Sequence, residues 1–253
     1  MDVNGLAAVV SGGASGLGEA TARAMAKSGV HVSILDINEE GAKSVAGDIG
    51  GLAFACDISS AEGVEIAING AAEAHGPARI AINCAGIGTP VKIVGRDGPQ
   101  NLEVFRRIID INLVGTFNLL RLAGAGMQDL NPLDGGERGV IINTASVAAF
   151  EGQIGQAGYG ASKGGVAAMT LPAAREFARF GIRVLTIAPG IFDTPMLSGL
   201  SQEVQDSLGG SVPFPSRLGQ PEEYAALAMH MVSNAMLNGE VVRLDGAIRM
   251  QSI

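Results

Sequence analysis

Tyr159 and Lys163 stand four residues apart, a spacing that puts both on one face of a helix, a turn apart. An ammonium close to a phenol favours the phenolate and can draw a tyrosine from its unperturbed pKa of about 10 toward neutrality. A tyrosine tuned in this way takes a proton from an alcohol or returns it to a developing alkoxide. Ser146, a little upstream, is placed to hold the same oxygen. Alone this is a weak signal, because an exposed Tyr–Lys pair on a helix is ordinarily solvated surface. Its weight comes from the elements that position it.

Residues 7–10 form an apolar run that ends in Ser11-Gly-Gly-Ala-Ser-Gly-Leu-Gly18, and a helical pattern follows over 19–27. Strand, glycine turn and helix are what a phosphate-binding loop needs. Glycine lets the backbone approach a pyrophosphate, and the N–H groups that open a helix present positive dipole to it. The glycines at 12, 16 and 18 read G-x-x-x-G-x-G, which by itself is often only a tight turn. A second strand over 30–35 delivers Asp36, an acid placed to accept both ribose hydroxyls of the adenosine half of NAD and to repel a 2′-phosphate. A turn or cap aspartate before the helix from Glu39 is the plainer alternative. Ser15, uncharged within the glycine loop, agrees with NAD over NADP.

A third strand over 52–56 ends at Asp57-Ile58, placed either to clasp an adenine ring or to cap the helix over 60–75. A fourth, over 79–83, runs into Asn83-Cys-Ala-Gly86, whose small residues leave room for a flat cofactor. Residues 88–100 read as a polar surface loop. A long helix over 102–127 carries Asn112 in its middle, where a polar group must be satisfied. The fifth strand, over 140–144, delivers Ser146. Tyr159 opens a helix running to about Phe180, and the sixth strand, over 183–188, ends at Pro189-Gly190. Residues 191–212 have weak periodicity and read as a mobile flap over substrate. Pro221 starts a last helix, 240–244 is the seventh strand, and the tail over 245–253 is expected in an oligomer interface. These elements predict one α/β domain of Rossmann type: a doubly wound, seven-stranded parallel sheet covered by helices on both faces. Ligands bind such sheets outside the strand C-termini near the switch point, and Gly12, Asp36, Asp57, Asn83, Ser146 and Pro189 all fall on that edge.

Composition narrows the function classes. The chain has 253 residues and a net charge of −8, with 47% hydrophobic and 17% charged residues. The negative balance and lack of a Lys/Arg cluster argue against nucleic acid as the main partner. Cys56 and Cys84 lie in apolar, strand-like runs and read as reduced core thiols. His31, His75 and His230 are scattered, so no metal site is expected. No targeting segment and no apolar run of membrane-spanning length stand out, so a cytoplasmic protein is expected.

Taken together, Gly12-Gly-Ala-Ser-Gly-Leu-Gly18, Asn83-Cys-Ala-Gly86, Asn112, Ser146, Tyr159-Gly-Ala-Ser-Lys163 and Pro189-Gly190 resemble the short-chain dehydrogenase/reductase family along the whole chain. The resemblance implies hydride transfer to or from a nicotinamide. In it Tyr159 is the general acid/base, Lys163 lowers its pKa and holds the nicotinamide ribose, Ser146 orients the substrate oxygen, and Asn112 holds a water in a proton relay. Thr194 is expected at the nicotinamide amide. The implied NAD site takes in Ser11, Gly12, Ser15, Gly16, Leu17 and Gly18 from the first turn, and Asp36, Asp57 and Ile58 at the adenosine end. Asn83, Ala85, Gly86, Pro189, Gly190, Ile191, Thr194, Tyr159 and Lys163 complete it toward the nicotinamide. The runs over 138–153, 212–219 and 238–250 resemble the branch of the family that acts on 3-hydroxyacyl-CoA. That likeness implies a homotetramer and a substrate pocket in which Gln153 and Gln156 join Ser146 and Tyr159. Asn83-Cys84 departs from the family's commoner Asn-Asn. The nearest alternatives are a hydroxysteroid or other secondary-alcohol dehydrogenase and a 3-oxoacyl reductase of fatty-acid synthesis. From a different class, a non-catalytic nucleotide-binding subunit is the alternative, against which the intact Ser146, Tyr159 and Lys163 argue.

Overall fold

Alternating apolar strands and amphipathic helices wind the chain into one Rossmann-like sheet. The structure, a computed structural model, describes residues 1–197 and 199–252. Its strands are β1 (Ala7–Ser11), β2 (His31–Asp36), β3 (Leu52–Ala55), β4 (Ile80–Asn83), a short hairpin pair β5 (Val94–Gly95) and β6 (Gly98–Pro99), β7 (Gly139–Thr144), β8 (Ile182–Pro189) and β9 (Val241–Leu244). Its α-helices are α1 (Gly16–Lys27), α2 (Glu39–Ile49), α3 (Ala61–His75), α4 (Leu102–Ile109), α5 (Gly115–Gln128), α6 (Ala157–Phe177), α7 (Gln202–Gly210) and α8 (Pro221–Ser233). Seven strands pair in parallel in the order β3-β2-β1-β4-β7-β8-β9. The order reverses between β1 and β4, so a crevice opens there outside the strand C-termini.

The central strands are buried on both faces and read as near-continuous apolar runs. Their period of two divides them between two cores. Ala8, Val10, Ile82 and Ile142 face Met25 of α1 and Tyr224 and Met231 of α8. Val9, Ala81 and Ile141 face Val64 of α3 and Leu119 and Met127 of α5. The strand ends are thereby fixed from both sides.

Four expected elements differ. The helix over 102–127 is not uniform: a π-turn, Asp110–Val114, joins α4 to α5. Asn112 lies inside that turn, where its side chain is held by groups outside the helix and the ladder widens to admit them. Contrary to the sequence reading, this stretch is long and apolar enough to cross a membrane by length and composition, with mean hydropathy 1.3. Half of that window is buried in the fold, as in a core helix. The segment over 191–212 contains a regular element, α7, which its Gly209-Gly210 end and sparse buried face hide from periodicity. The loop over 88–100 carries the β5–β6 hairpin. The Tyr159 helix ends at Phe177, and a 3₁₀ turn carries the chain to Gly181.

The glycine turn shows why no side chain is tolerated. Gly12 has φ +68°, and a Cβ there would lie 2.5 Å from the Ala85 nitrogen. A Cβ on Gly18 would lie 2.1 Å from the Gly12 carbonyl oxygen. Strand, turn and helix close on one another only without it. Gly18→Ala is therefore expected to cost about 1–3 kcal/mol of stability, the range for overpacking, and to weaken dinucleotide binding. Thermal unfolding with and without NAD checks this, and an unchanged Tm would contradict it.

Candidate active site

The strand ends assemble a backbone-lined cradle. Gly16 opens α1 with φ +55°, and a Cβ there would touch Thr194 and Pro195 at 3.4 Å. The residues expected at the two ends of a dinucleotide thus meet across the crevice. Ser15 precedes α1 in extended conformation, its side chain making no capping hydrogen bond. Beyond it the first N–H groups of α1, from Gly16 through Gly18, have no intrahelical acceptor. Asp36 is bound to the same turn: one carboxylate oxygen accepts from the Ala14 N–H at 3.0 Å and the other from the Asn38 N–H at 2.9 Å. Both oxygens keep lone pairs for further donors. Asp57 is exposed and accepts from the Ser59 N–H and hydroxyl through a single oxygen. Ile58, expected to contribute the apolar half of an adenine clasp, is 6% exposed and packs over Gly115.

Several expected cofactor residues have other side-chain duties. Ser11 and Asn83 are 1% and 2% exposed. The Asn83 amide donates to the Asn143 Oδ1 at 2.9 Å, and the Ser11 Oγ accepts from the Ala85 N–H at 3.4 Å. These side chains lock β1, β4 and β7 together rather than line the crevice. Gly190 is needed by the tail, since a Cβ there would lie 2.9 Å from the Asp245 Cα. Ile191 accepts from the Gly219 N–H through its carbonyl, and Phe192 bridges to Gly219. Pro189 closes β8. Gly86 forms the floor: a Cβ on it would lie 3.2 Å from the Asn112 Oδ1 and 3.4 Å from the Lys163 Nζ. Asn112, Gly86 and Lys163 are thus brought together as expected.

The Asn112 side chain makes three hydrogen bonds. Its Oδ1 accepts from the Ile87 N–H at 2.8 Å, and its Nδ2 donates to the Ile87 carbonyl at 2.9 Å and the Ser162 hydroxyl at 3.0 Å. It clamps the loop after β4, with both Nδ2 protons used and one Oδ1 lone pair left over.

Ser146 lies two residues past β7, caps the 3₁₀ turn Val147–Ala149 by accepting from the Ala148 N–H at 3.1 Å, and acts on the Tyr159 phenol in the direction of the ionised form. Lys163 is 5% exposed, donates to the Thr144 carbonyl at 2.7 Å, and lies 5.9 Å from the Tyr159 ring centroid. The three side chains converge, yet the electrostatics differ from the sequence expectation. Burial pushes the Tyr159 phenol up, opposed only by the Ser146 hydrogen bond. Lys163, expected to draw it down, directs its ammonium to a carbonyl, and burial lowers its own pKa to about 8. The arrangement places a neutral phenol, an orienting hydroxyl and an ammonium at the mouth of one crevice, suited to proton exchange with a substrate oxygen.

Gln153 and Gln156 line a groove of about 510 Å³ with Lys92, Ile93, Val94 and Ile154, beside the first turn of α6. Ser146 and Tyr159 are not among its lining residues. The Gln153 amide also donates to the Gln251 carbonyl at 3.1 Å, and the Ile154 N–H to the Ser252 carbonyl at 3.0 Å. The tail therefore packs against the loop over 153–154 of its own chain. It is held there by Arg243 and Arg249, both paired with Glu151. Sequence reading missed this docking, because an ion pair across 92 positions leaves no local pattern. It also missed Met196, whose sulfur would lie 3.2 Å from a Cβ on Gly88, the same point 3.8 Å from the Tyr159 ring. The segment after Thr194 thus reaches over the tyrosine.

Comparison with known proteins agrees with this geometry. Residues 6–205 match the model of the short chain dehydrogenase family. The chain is 51% identical to 3-hydroxyacyl-CoA dehydrogenase type-2 of Bos taurus, over 98% of this chain and 97% of that one. The crystal structure of 3-hydroxyacyl-CoA dehydrogenase type-2 from Mycobacterium avium superposes with a TM-score of 0.94 at 42% identity, covering 98% of each chain. The 3-ketoacyl-(acyl-carrier-protein) reductase of Brucella melitensis, crystallised with NADH, superposes with a TM-score of 0.87 at 32% identity, over 98% of this chain and all of that one.

The buried ammonium has a measurable consequence. Lys163 falls from its ordinary 10.5 to about 8 in the folded chain. Between those values the unfolded chain binds the extra proton, so this group lends stability above about 10 that is lost as pH falls through about 8. Denaturant unfolding of the protein and of Lys163→Met, compared at pH 7.5 and pH 10 (roughly the ends of that window), is expected to show the native chain losing ground to the variant on acidification. Parallel pH profiles would contradict it.

Proposed function

The chain belongs to the short chain dehydrogenase family and is an NAD-dependent oxidoreductase, and from that premise we propose that it oxidises the 3-hydroxyl of a 3-hydroxyacyl-CoA to the 3-oxoacyl-CoA, reversibly. The observation that carries the reading is the convergence of Ser146, Tyr159 and Lys163 on the edge of the sheet where Gly12, Gly16 and Gly86 leave a cradle that a Cβ would fill. The cradle fits a dinucleotide: glycine turn, helix N-terminus and acid at the second strand end are in place. Bound NAD supplies the hydride acceptor. Asp36 and the N–H groups opening α1 would hold its adenosine ribose and pyrophosphate, with Thr194 and Lys163 toward the nicotinamide end.

In oxidation, the Tyr159 phenolate takes the proton of the C3 hydroxyl as the C3–H bond gives up its hydride. Ser146 donates to the same oxygen and fixes it between the two. The Lys163 ammonium stands near the tyrosine ring and stabilises the negative charge that Tyr159 carries before it accepts the proton. In the reverse direction the same phenol returns the proton to the alkoxide. Burial, which keeps the phenol protonated in isolation, also excludes water that would screen the ammonium.

The acyl-CoA identity is supported by relatives that carry that name over nearly their full lengths and by the groove beside Gln153 and Gln156. We carry in the same proposal a covering role for residues 191–212, a homotetramer and a cytoplasmic setting. The free thiols of Cys56 and Cys84 support a reducing compartment.

NAD reduction measured over 3-hydroxyacyl-CoA esters of increasing chain length, 2-methyl-branched esters, 3-hydroxyacyl carrier-protein thioesters and hydroxysteroids tests the substrate. The CoA esters are expected to give the highest kcat/KM, and a steroid or carrier-protein thioester leading the panel would overturn it. For the cofactor, Asp36→Ala is expected to weaken NAD binding about tenfold, the loss of hydrogen bonds to a charged acceptor, and to improve NADP binding. NADPH serving the unmutated protein better than NADH would contradict the role given to Asp36.

A further inference from the structure

We infer that Tyr224, on the far side of the sheet from the substrate, is a positioning residue for Lys163, acting through Thr144. Tyr224 lies in α8, is 0% exposed, and belongs to the core between the sheet and helices α1 and α8. Lys163 approaches the same strand end from α6, whose Ala174 and Phe177 pack in the opposite core. Thr144, the last residue of β7, joins them. Its carbonyl accepts from the Lys163 Nζ at 2.7 Å, and its hydroxyl lies 2.7 Å from the Tyr224 hydroxyl.

The proton count gives this contact a direction. Thr144 has one hydroxyl proton, and it goes to the Asn83 carbonyl. Tyr224 is therefore the donor to the Thr144 Oγ1, and the Tyr224 oxygen is left to accept from the Cys84 thiol, 3.7 Å away. The chain runs from Cys84 to Tyr224 to Thr144 to the Asn83 carbonyl, every donor used once. It ties the C-terminal ends of β4 and β7 to each other and to α8. These are the ends that deliver Gly86 and Ser146 to the site. A chain of hydrogen bonds out of water polarises along its length and resists rearrangement, so the carbonyl under Lys163 has a fixed direction. Tyr224 stays neutral throughout, since burial raises its phenol well above the ordinary value.

A core tyrosine needs only ring volume to fill space, and phenylalanine supplies that. The hydroxyl's partners are the strand ends that carry the site, and among the described residues the Lys163 Nζ donates to the main-chain carbonyl of the very threonine so held. Loss of the Tyr224 hydroxyl lets the Thr144 carbonyl turn and leaves the ammonium less well solvated, which favours its neutral form.

This inference rests on the role given to Lys163 above. It is tested on the full-length protein with 3-hydroxybutyryl-CoA and saturating NAD, by following kcat against pH for Tyr224→Phe, Thr144→Val and Thr144→Ser. Tyr224→Phe and Thr144→Val are expected to lower kcat on the order of fivefold, the effect of a small misplacement beside the reacting atoms. Both should also shift the alkaline limb of the profile to lower pH, with NAD affinity within about twofold, well under one hydrogen bond's worth. Thr144→Ser, which keeps the hydroxyl, is expected to retain the native profile. A Tyr224→Phe protein that loses only Tm and keeps the native kcat–pH profile overturns the inference. Should that variant not fold, Thr144→Val compared with Thr144→Ser decides on the same readout. Full activity in Lys163→Met would instead overturn the proposed function, which separates the two failures.

Discussion

A lysine ammonium that is 5% exposed and rests on a main-chain carbonyl is the constraint on which the site depends. Burying such a charge is unfavourable, and burial, partly opposed by Cys84, draws Lys163 down to about 8. The surroundings are organised around that cost. The Thr144 carbonyl stands at the end of a strand buried on both faces, and the side-chain hydroxyl of the same residue is bonded to Tyr224 and to the Asn83 carbonyl. Gly86 has no side chain to displace the Nζ. The Asn112 clamp keeps the loop carrying Gly86 in place, and the π-turn in the neighbouring helix is the backbone distortion that admits the clamp. Sheet order, loop path and helix irregularity all bear on one ammonium and the phenol beside it.

The parallel architecture explains why these residues meet at all. Ser146, Thr144, Gly86 and Gly12 come from three strands and the turns after them, far apart in sequence. A parallel sheet brings every strand C-terminus to one edge, and the reversal between β1 and β4 opens that edge into a crevice. α6 then lays Tyr159 and Lys163 along it, one turn apart, so the proton-handling groups face the cradle without a dedicated domain. The C-terminal tail adds a second restraint on the substrate side, through Glu151 and its two arginines.

Much of this was legible in the sequence because the signals are local. Strand ends carrying Gly12, Asp36, Asp57, Asn83 and Ser146 follow from apolar runs closed by turn residues. The Tyr159–Lys163 face follows from helical spacing. Contacts between distant residues left no such trace. That Asn112 grips Ile87, that Ser11 and Asn83 turn inward to hold strands, and that Gln153 donates to the tail all depend on tertiary neighbours. The burial that raises the Tyr159 phenol was out of reach of spacing for the same reason. Spacing shows that an ammonium is near, but only the fold shows how deeply the phenol is buried and which carbonyl the ammonium chooses. α7 escaped because a helix with one small buried residue and a Gly-Gly end has little periodicity to read.

The central claim is that Tyr159 carries the proton while the cradle independently holds NAD. It is tested most directly by measuring NADH formation from 3-hydroxybutyryl-CoA alongside NAD affinity in Tyr159→Phe, a variant that removes one hydroxyl from the site. Turnover is predicted to fall on the order of a thousandfold, within the range for loss of a general acid/base, while NAD binding stays near that of the unmutated protein. Turnover close to the native rate at native NAD affinity would contradict the account.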